Sequence, residues 1–136
     1  MDTIPVGAKG SFTLLIAPQH LANQFKDAML PPVLATPVMI MIMENAALDA
    51  VRGFLQPSES AVGTAISVQH HAATPVGHRV RAEAEVTKVE GRRIEFAVTA
   101  SDETEKIGSG THERMVVDRQ RLAQRLAAKS RPSERT

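Results

Sequence analysis

Thirteen consecutive residues without a charge, Pro31–Met43 (PPVLATPVMIMIM), dominate what this 136-residue chain can fold into, and Glu44 ends the run. From Val38 the sequence continues through Met39, Ile40, Met41, Ile42 and Met43 into Glu44, Asn45, Ala46, Ala47 and Leu48. Unbranched Met and Leu mixed with Ala favour a helix over a strand, and Thr36-Pro37 reads as an N-cap followed by proline at the first helical position. The predicted helix spans about Pro37 to Phe54 and stops near Gly53 and Pro57. A helix that is apolar on nearly every side is buried. Glu44 shares a face with Ile40, Met41, Ala47 and Leu48, three and four positions away. A carboxylate placed there needs a partner or a chemical use, because burying it alone is costly. It reads either as half of a structural ion pair or as a catalytic group. The uncharged run is too short to span a bilayer, which takes about 20 residues, and it holds three prolines.

The order of the remaining elements says what wraps this helix. Ser11–Ile16 reads as a first strand, and residues 17–35, with Pro18, Pro31 and Pro32, as an irregular connector. Beyond the helix the alternation becomes strict. Val80, Ala82, Ala84 and Val86 face one way and Arg81, Glu83 and Glu85 the other, and Ile94, Phe96, Val98 and Ala100 repeat the pattern. Such period-2 alternation marks antiparallel strands with one face covered and the other wet. Gly91 marks the hairpin between them. With strands over Ala61–Ala73 and Lys106–Val117 and a closing helix over Gln120–Lys129, the fold class is α+β. A curved five-stranded antiparallel sheet wraps one long central helix, in the hotdog architecture, as a single domain over residues 1–136. An open sheet edge in so small a domain predicts a homodimer.

Composition narrows the functional classes. Met1-Asp2-Thr3 is followed by no basic and apolar leader pattern. Cysteine is absent, which removes disulfides, thiol catalysis and thiolate metal sites and fits a reducing cytoplasm. A net charge of +1 and four Phe without Trp or Tyr argue against a nucleic-acid surface. The one asymmetry is at the C-terminus. Residues 118–136 carry Arg119, Arg121, Arg125, Lys129, Arg131 and Arg135 against Asp118 and Glu134, +4 there and −3 elsewhere, and read as a solvated helix with a frayed tail.

On the strand Ala61–Ala73, Val62, Thr64, Ile66, Val68 and His70 share one parity, and Gly63, Ala65, Ser67, Gln69 and His71 the other. His70 therefore faces the helix and His71 faces away. An inward His is commonly a satisfied core residue. A buried Glu on the adjacent element makes the two a candidate acid/base pair. The adjacent His70 and His71 cannot chelate one ion, His78 and His112 stand alone in sequence, and no metal-ligand spacing is present. In Ile107–Arg114 (IGSGTHER), Gly108 and Gly110 share a parity with His112 and Arg114. Strand glycines admit a ligand or another backbone, and Arg114 reads as a contact for an anionic group or as a solvated side chain.

Val33–Ala50, Gly63–Gly77, Val89–Arg93 and Ile107–Arg114 together resemble the hotdog acyl-CoA thioesterases, and within them the fluoroacetyl-CoA thioesterases. The resemblance covers most of residues 33–117. It implies a catalytic set of Thr36, Glu44 and His70, with Gly63 and Arg114 in substrate binding. It also implies an acyl-CoA substrate and no cofactor beyond the coenzyme A that the substrate carries. In that family, phenylalanines before the Thr form a lid. Here Asn23–Pro32 (NQFKDAMLPP) offers Phe25 alone, so acyl-CoA thioesterase chemistry is expected without fluoroacetyl selectivity. The alternatives are a hotdog enoyl-CoA hydratase and a non-catalytic acyl-CoA-binding module. Eight helical residues separate Thr36 from Glu44 by roughly 12 Å along the axis, too far for a direct bond. Either the helix starts later, with the connector folding back, or the two groups meet across a dimer.

Overall fold

The computed structural model describes residues 1–131, in the order β1 (Lys9–Leu15), α1 (Ala22–Phe25), α2 (Thr36–Val51), β2 (Glu59–His70), β3 (Arg79–Glu90), β4 (Arg93–Ser101), β5 (Lys106–Asp118) and α3 (Arg119–Lys129). The tail predicted beyond α3, with Glu134 and Arg135, lies outside the described residues. The strands form one antiparallel sheet in the order β1-β3-β4-β5-β2, curled around α2. The long chain between β1 and β2 is therefore the helix itself, passing under the sheet to the opposite edge.

Both alternating strands behave as the pattern predicts. Val80, Ala82, Ala84 and Val86 of β3, and Ile94, Phe96, Val98 and Ala100 of β4, are buried against the helix. Gly91 turns the hairpin between them with φ +62, a conformation in which glycine avoids the Cβ clash. On α2 the buried set is Val38, Met39, Ile42, Met43, Ala46, Ala47, Ala50 and Val51. Each large apolar side chain buried in this way contributes about 1.5–3 kcal/mol. β1 crosses the helix very closely at Gly10, where a Cβ would stand 2.3 Å from the Ala46 carbonyl oxygen. Only glycine fits there. Among the described residues, no helix is long and apolar enough to cross a membrane.

Three local expectations change. The connector is not wholly irregular: a 3-10 turn at Pro18–His20 and α1 interrupt it, and Leu21 bridges Leu34. Helix α2 begins one residue early, with Ala35 at the N-cap position and Thr36 as its first residue, and it ends at Val51 before a 3-10 turn. The Thr36 hydroxyl is thus not spent on capping. Glu44 lies in no dry core. It is half-buried with its carboxylate against Gly63 at the β2 edge of the sheet, beside Ile40 and Leu48, which are also half-buried, and Met41, which is exposed.

The sheet has three register shifts, between Val86 and Lys88 on β3, between Gly63 and Ala65 on β2, and between Ala100 and Ser101 on β4. An extra residue in one strand of an antiparallel pair reverses the side-chain parity beyond it. The second shift decides where the site residues point.

Candidate active site

His70 is the last residue of β2 and faces the helix, as its parity predicts, and Thr36 opens α2. Thr36 Oγ1 lies 2.8 Å from His70 Nδ1. Burial lowers the His70 pKa below its ordinary value; the neighbouring His71 adds to this and a backbone contact at Ala72 opposes it. The ring is therefore neutral near pH 7 and able to take the hydroxyl proton. His70 Nε2 is buried with no hydrogen-bond partner among the described residues. An orphaned buried nitrogen is costly in a purely structural histidine. A cavity of about 370 Å³ lies beside the pair, walled by Leu30, Val33, Leu34, Thr36, His70 and Ala72 among others.

The chain holds this pair from behind. Ala35 N–H donates to the His20 carbonyl at 2.9 Å, and Leu34 N–H donates to the Thr74 carbonyl at 2.8 Å. Thr74 is fully buried, and its hydroxyl donates to Asp102 Oδ2 at 2.8 Å. Asp102 Oδ1 also accepts from Thr104 N–H, Thr104 Oγ1 and Glu105 N–H. The approach to Thr36 is thereby tied to the β4–β5 turn.

Glu44, Gly63, His112 and Arg114 form a second cluster, further along α2. The β2 register shift at Thr64 puts Gly63 on the helix side, opposite Arg114, while Ile66 and His70 beyond the shift face that side too. Gly63 and His70 are thus on one face, contrary to the simple alternation, because the bulge absorbs one residue between them. A Cβ on Gly63 would lie 2.9 Å from Glu44 Oε2 and 3.3 Å from His112 Cε1. The glycine is what lets the carboxylate sit against the strand. Arg114 is 9% exposed, neither on a polar face nor solvated. Its Nε and Nη2 donate to the Ala61 carbonyl at 3.0 and 2.7 Å, and Nη1 donates to the Glu44 carbonyl at 3.1 Å. Desolvation lowers its pKa, and the Glu44 charge opposes that shift.

Within one protomer, then, the five predicted residues separate into Thr36–His70 and Glu44–Gly63–Arg114. The expected Glu44–His70 pair is not formed among the described contacts. With α2 starting at Thr36, the offset of about 12 Å along the helix stands. Gly63 and His70 lie roughly 20 Å apart along β2. His112, which looks isolated in sequence, is buried at 3% exposure in the second cluster. The sequence already puts it on one face with Arg114; what the parity alone does not say is that this face is the buried one. Gly108 and Gly110 admit the protein itself, since Cβ atoms there would meet Met39 Sδ at 2.6 Å and Val68 Cα at 2.6 Å.

Comparison with known proteins agrees with the fold. The model of the family described as fluoroacetyl-CoA-specific thioesterase matches residues 16–120. A fluoroacetyl-CoA thioesterase from Streptantibioticus cattleyicolor is 38% identical over 134 residues, covering 95% of this chain and 96% of that protein. A solved structure of a fluoroacetyl-CoA thioesterase is similar with TM-score 0.89 and 36% identity, covering 96% of this chain and all of the other. A thioesterase superfamily member from Thermus thermophilus is 29% identical, with TM-score 0.86 over 95% of this chain and 97% of its own.

Proposed function

The chain belongs to the fluoroacetyl-CoA-specific thioesterase family, and on that premise we propose that it hydrolyses a short or medium acyl-CoA thioester at a site assembled between two copies of itself. The enzyme is a thioester hydrolase of hotdog fold. The observation that carries the site is the 2.8 Å contact between Thr36 Oγ1 and a His70 held neutral by burial. His70 takes the hydroxyl proton as Thr36 Oγ1 adds to the thioester carbonyl. The C–S bond then breaks, and the imidazolium returns the proton to the departing coenzyme A thiolate. Glu44 draws a proton from the water that adds to the acyl–Thr36 ester; the acyl C–O bond to Thr36 breaks, the proton passes from Glu44 to Thr36 Oγ1, and the carboxylic acid leaves. Backbone N–H groups at Gly63–Thr64 face the oxyanion.

Assembly follows from the free edge. Residues 63–67 of β2 are all exposed, and Ile66 is 38% exposed although it faces the helix side. In an isologous antiparallel strand pair the opposed residues share a face, so the twofold passes through a residue position. A twofold at Ser67, with the bulge at Thr64 absorbing one residue of each strand, sets Gly63 of a second copy opposite His70, and brings Glu44 of that copy toward Thr36. The same contact covers Met41 and pairs the open edge. On this reading the enzyme acts in the cytoplasm, where coenzyme A esters are available and which its cysteine-free composition fits.

The test is thiol release from a panel of acyl-CoAs, acetyl to octanoyl, followed with a thiol reagent. Saturable release supports the reading. Loss of enoyl absorbance without thiol release makes the protein a hydratase, and binding without either makes it a carrier module.

A further inference from the structure

The β2 bulge is gripped from inside by two neighbouring side chains of β5, and the grip has a defined proton inventory. His112 Nδ1 lies 2.7 Å from the Ala65 carbonyl, and its Nε2 lies 3.2 Å from Arg114 Nη1. A carbonyl only accepts and a guanidinium only donates. The ring therefore carries its proton on Nδ1 and offers a lone pair at Nε2, the neutral tautomer. Phe96 stacks on it, with centroids 5.7 Å apart and planes at 25°. Burial keeps the pKa low; the Ala65 hydrogen bond opposes that, Arg114 reinforces it, and Glu44 and Glu113 oppose it. Arg114 in turn holds the Ala61 carbonyl with two N–H groups and the Glu44 carbonyl with a third.

The two anchored carbonyls, Ala61 and Ala65, bracket Gly63 and Thr64, where the register shifts. We propose that His112 and Arg114 are a positioning pair that fixes this bulge against helix α2, setting both the direction of the Gly63–Thr64 backbone N–H groups and the place of the Glu44 carboxylate. Neither side chain is a catalytic residue: four of the five Arg114 N–H groups are spent on Ala61, Glu44 and His112. A solvated or substrate-facing arginine has no need of a neutral histidine acceptor. Protonation of His112 removes that acceptor and sets two cations 3.2 Å apart. The inference rests on the thioesterase reading for its consequence, but its geometry is independent of it.

Two measurements separate the inference from that reading. The first is ring 15N NMR of His112 at pH 7, where the inference requires a protonated Nδ1 and an unprotonated Nε2. The second is steady-state kinetics of His112→Asn and His112→Leu beside Glu44→Gln. Asn retains a donor for Ala65 and Leu retains nothing. We expect kcat to fall by about tenfold in Asn and about a hundredfold in Leu with KM changed less than about threefold, since misplacement by 1 Å or so is felt in turnover. Folded His112→Asn with unaltered kcat, or an imidazolium or Nε2–H tautomer in the spectrum, overturns the positioning role even if Glu44→Gln is inactive. Absence of thiol release by the unmutated protein removes the thioesterase reading, and the ring spectrum still decides the geometry. If the Leu variant does not fold, the Asn variant and the spectrum carry the test.

Discussion

Gly63→Ala separates function from folding at the narrowest point of the site. The added Cβ would stand 2.9 Å from Glu44 Oε2 and 3.3 Å from His112 Cε1. Optimal contacts lie at about 3.5–4.0 Å, so the carboxylate must retreat by roughly 0.6–1 Å. The harder clash falls on the far end of a flexible side chain, which turns away at little cost, and the His112 ring gives by a few tenths of an ångström. Gly63 is not among the glycines with positive φ, so alanine meets no backbone strain and recovers about 0.5–1 kcal/mol of the glycine penalty in a strand. Thermal stability therefore stays the same or rises slightly. Activity does not, because a group displaced by about 1 Å at a reacting centre costs up to 100-fold. We expect kcat/KM to fall by about 10–100-fold, or about 1.4–2.7 kcal/mol of transition-state stabilisation. The assay is thiol release alongside a melting curve. A variant with unchanged kcat/KM refutes the role given to the Glu44–Gly63 contact. A melting temperature lowered by many degrees refutes the claim that the site yields at little cost.

Four further outcomes follow from the same geometry. Glu44→Gln keeps the shape and removes the base, so steady turnover falls by about 100-fold or more; a rapid burst of about one thiol per site before the slow phase marks a stalled acyl–Thr36 ester, and normal turnover excludes the role. Light scattering at micromolar concentration gives a dimer or a dimer of dimers, and a fully active monomer excludes the two-copy site. Burial alone would raise the Asp102 pKa, but the hydrogen bonds from Thr104, Thr74 and Glu105 overcome it and bring the carboxyl to about 2 from 3.8. Its stabilisation, about 2 kcal/mol, is thus complete above pH 3.8 and is lost as pH falls through about 2, and acid unfolding of Asp102→Asn lacks that component. Phe25 and Met29 are exposed, and of that segment Lys26, Leu30 and Pro31 border the cavity. The kcat/KM ratio of fluoroacetyl-CoA to acetyl-CoA then stays within about two decades, set by carbonyl electrophilicity, and a larger ratio means the segment closes as a lid.

What was legible in the sequence was whatever depended on uninterrupted periodicity. Alternation over Val80–Val86 and Ile94–Ala100 placed every one of those side chains, because nothing disturbs the pleat there. The uncharged run to Met43 announced the central helix for the same reason. His70 was placed on the correct face only because the run from Ile66 to His70 lies wholly beyond the bulge. Gly63 lies before it, and one absorbed residue was enough to invert its assignment. The burial of Arg114 and His112 escaped for a different reason. A polar side chain is buried only where acceptors wait for it, and the Ala61 and Ala65 carbonyls belong to a strand about 50 residues away in sequence. Side-chain pattern carries no record of backbone acceptors. Thr36 has a similar history: a Thr before Pro is a reasonable cap by local rules, and the ring nitrogen of His70 claims the hydroxyl instead.

The distance between the two clusters makes the dimer a chemical requirement of the proposed site and fixes its register. Within one chain, about 12 Å of helix and roughly 20 Å of strand separate the Thr36–His70 pair from the Glu44–Gly63 pair, and neither α2 nor β2 can shorten. A twofold-symmetric strand pair has a single choice to make, the position of its centre. Moving that centre by one residue changes the partner of His70 by two, carrying Gly63 of the second copy about 6.6 Å from the imidazole. That is further than a hydrogen bond and one intervening water can reach. Moving it by half a residue pairs side chains from opposite faces of β2, which the pleat forbids. Only the centre at Ser67, with the bulge absorbing one residue, joins the halves. By symmetry it then joins them twice, one site at each end of the shared strand pair. Substitutions that disturb the centre, such as Ile66→Lys, therefore lower activity at both sites together with dimer affinity, whereas damage to Thr36 leaves the dimer intact.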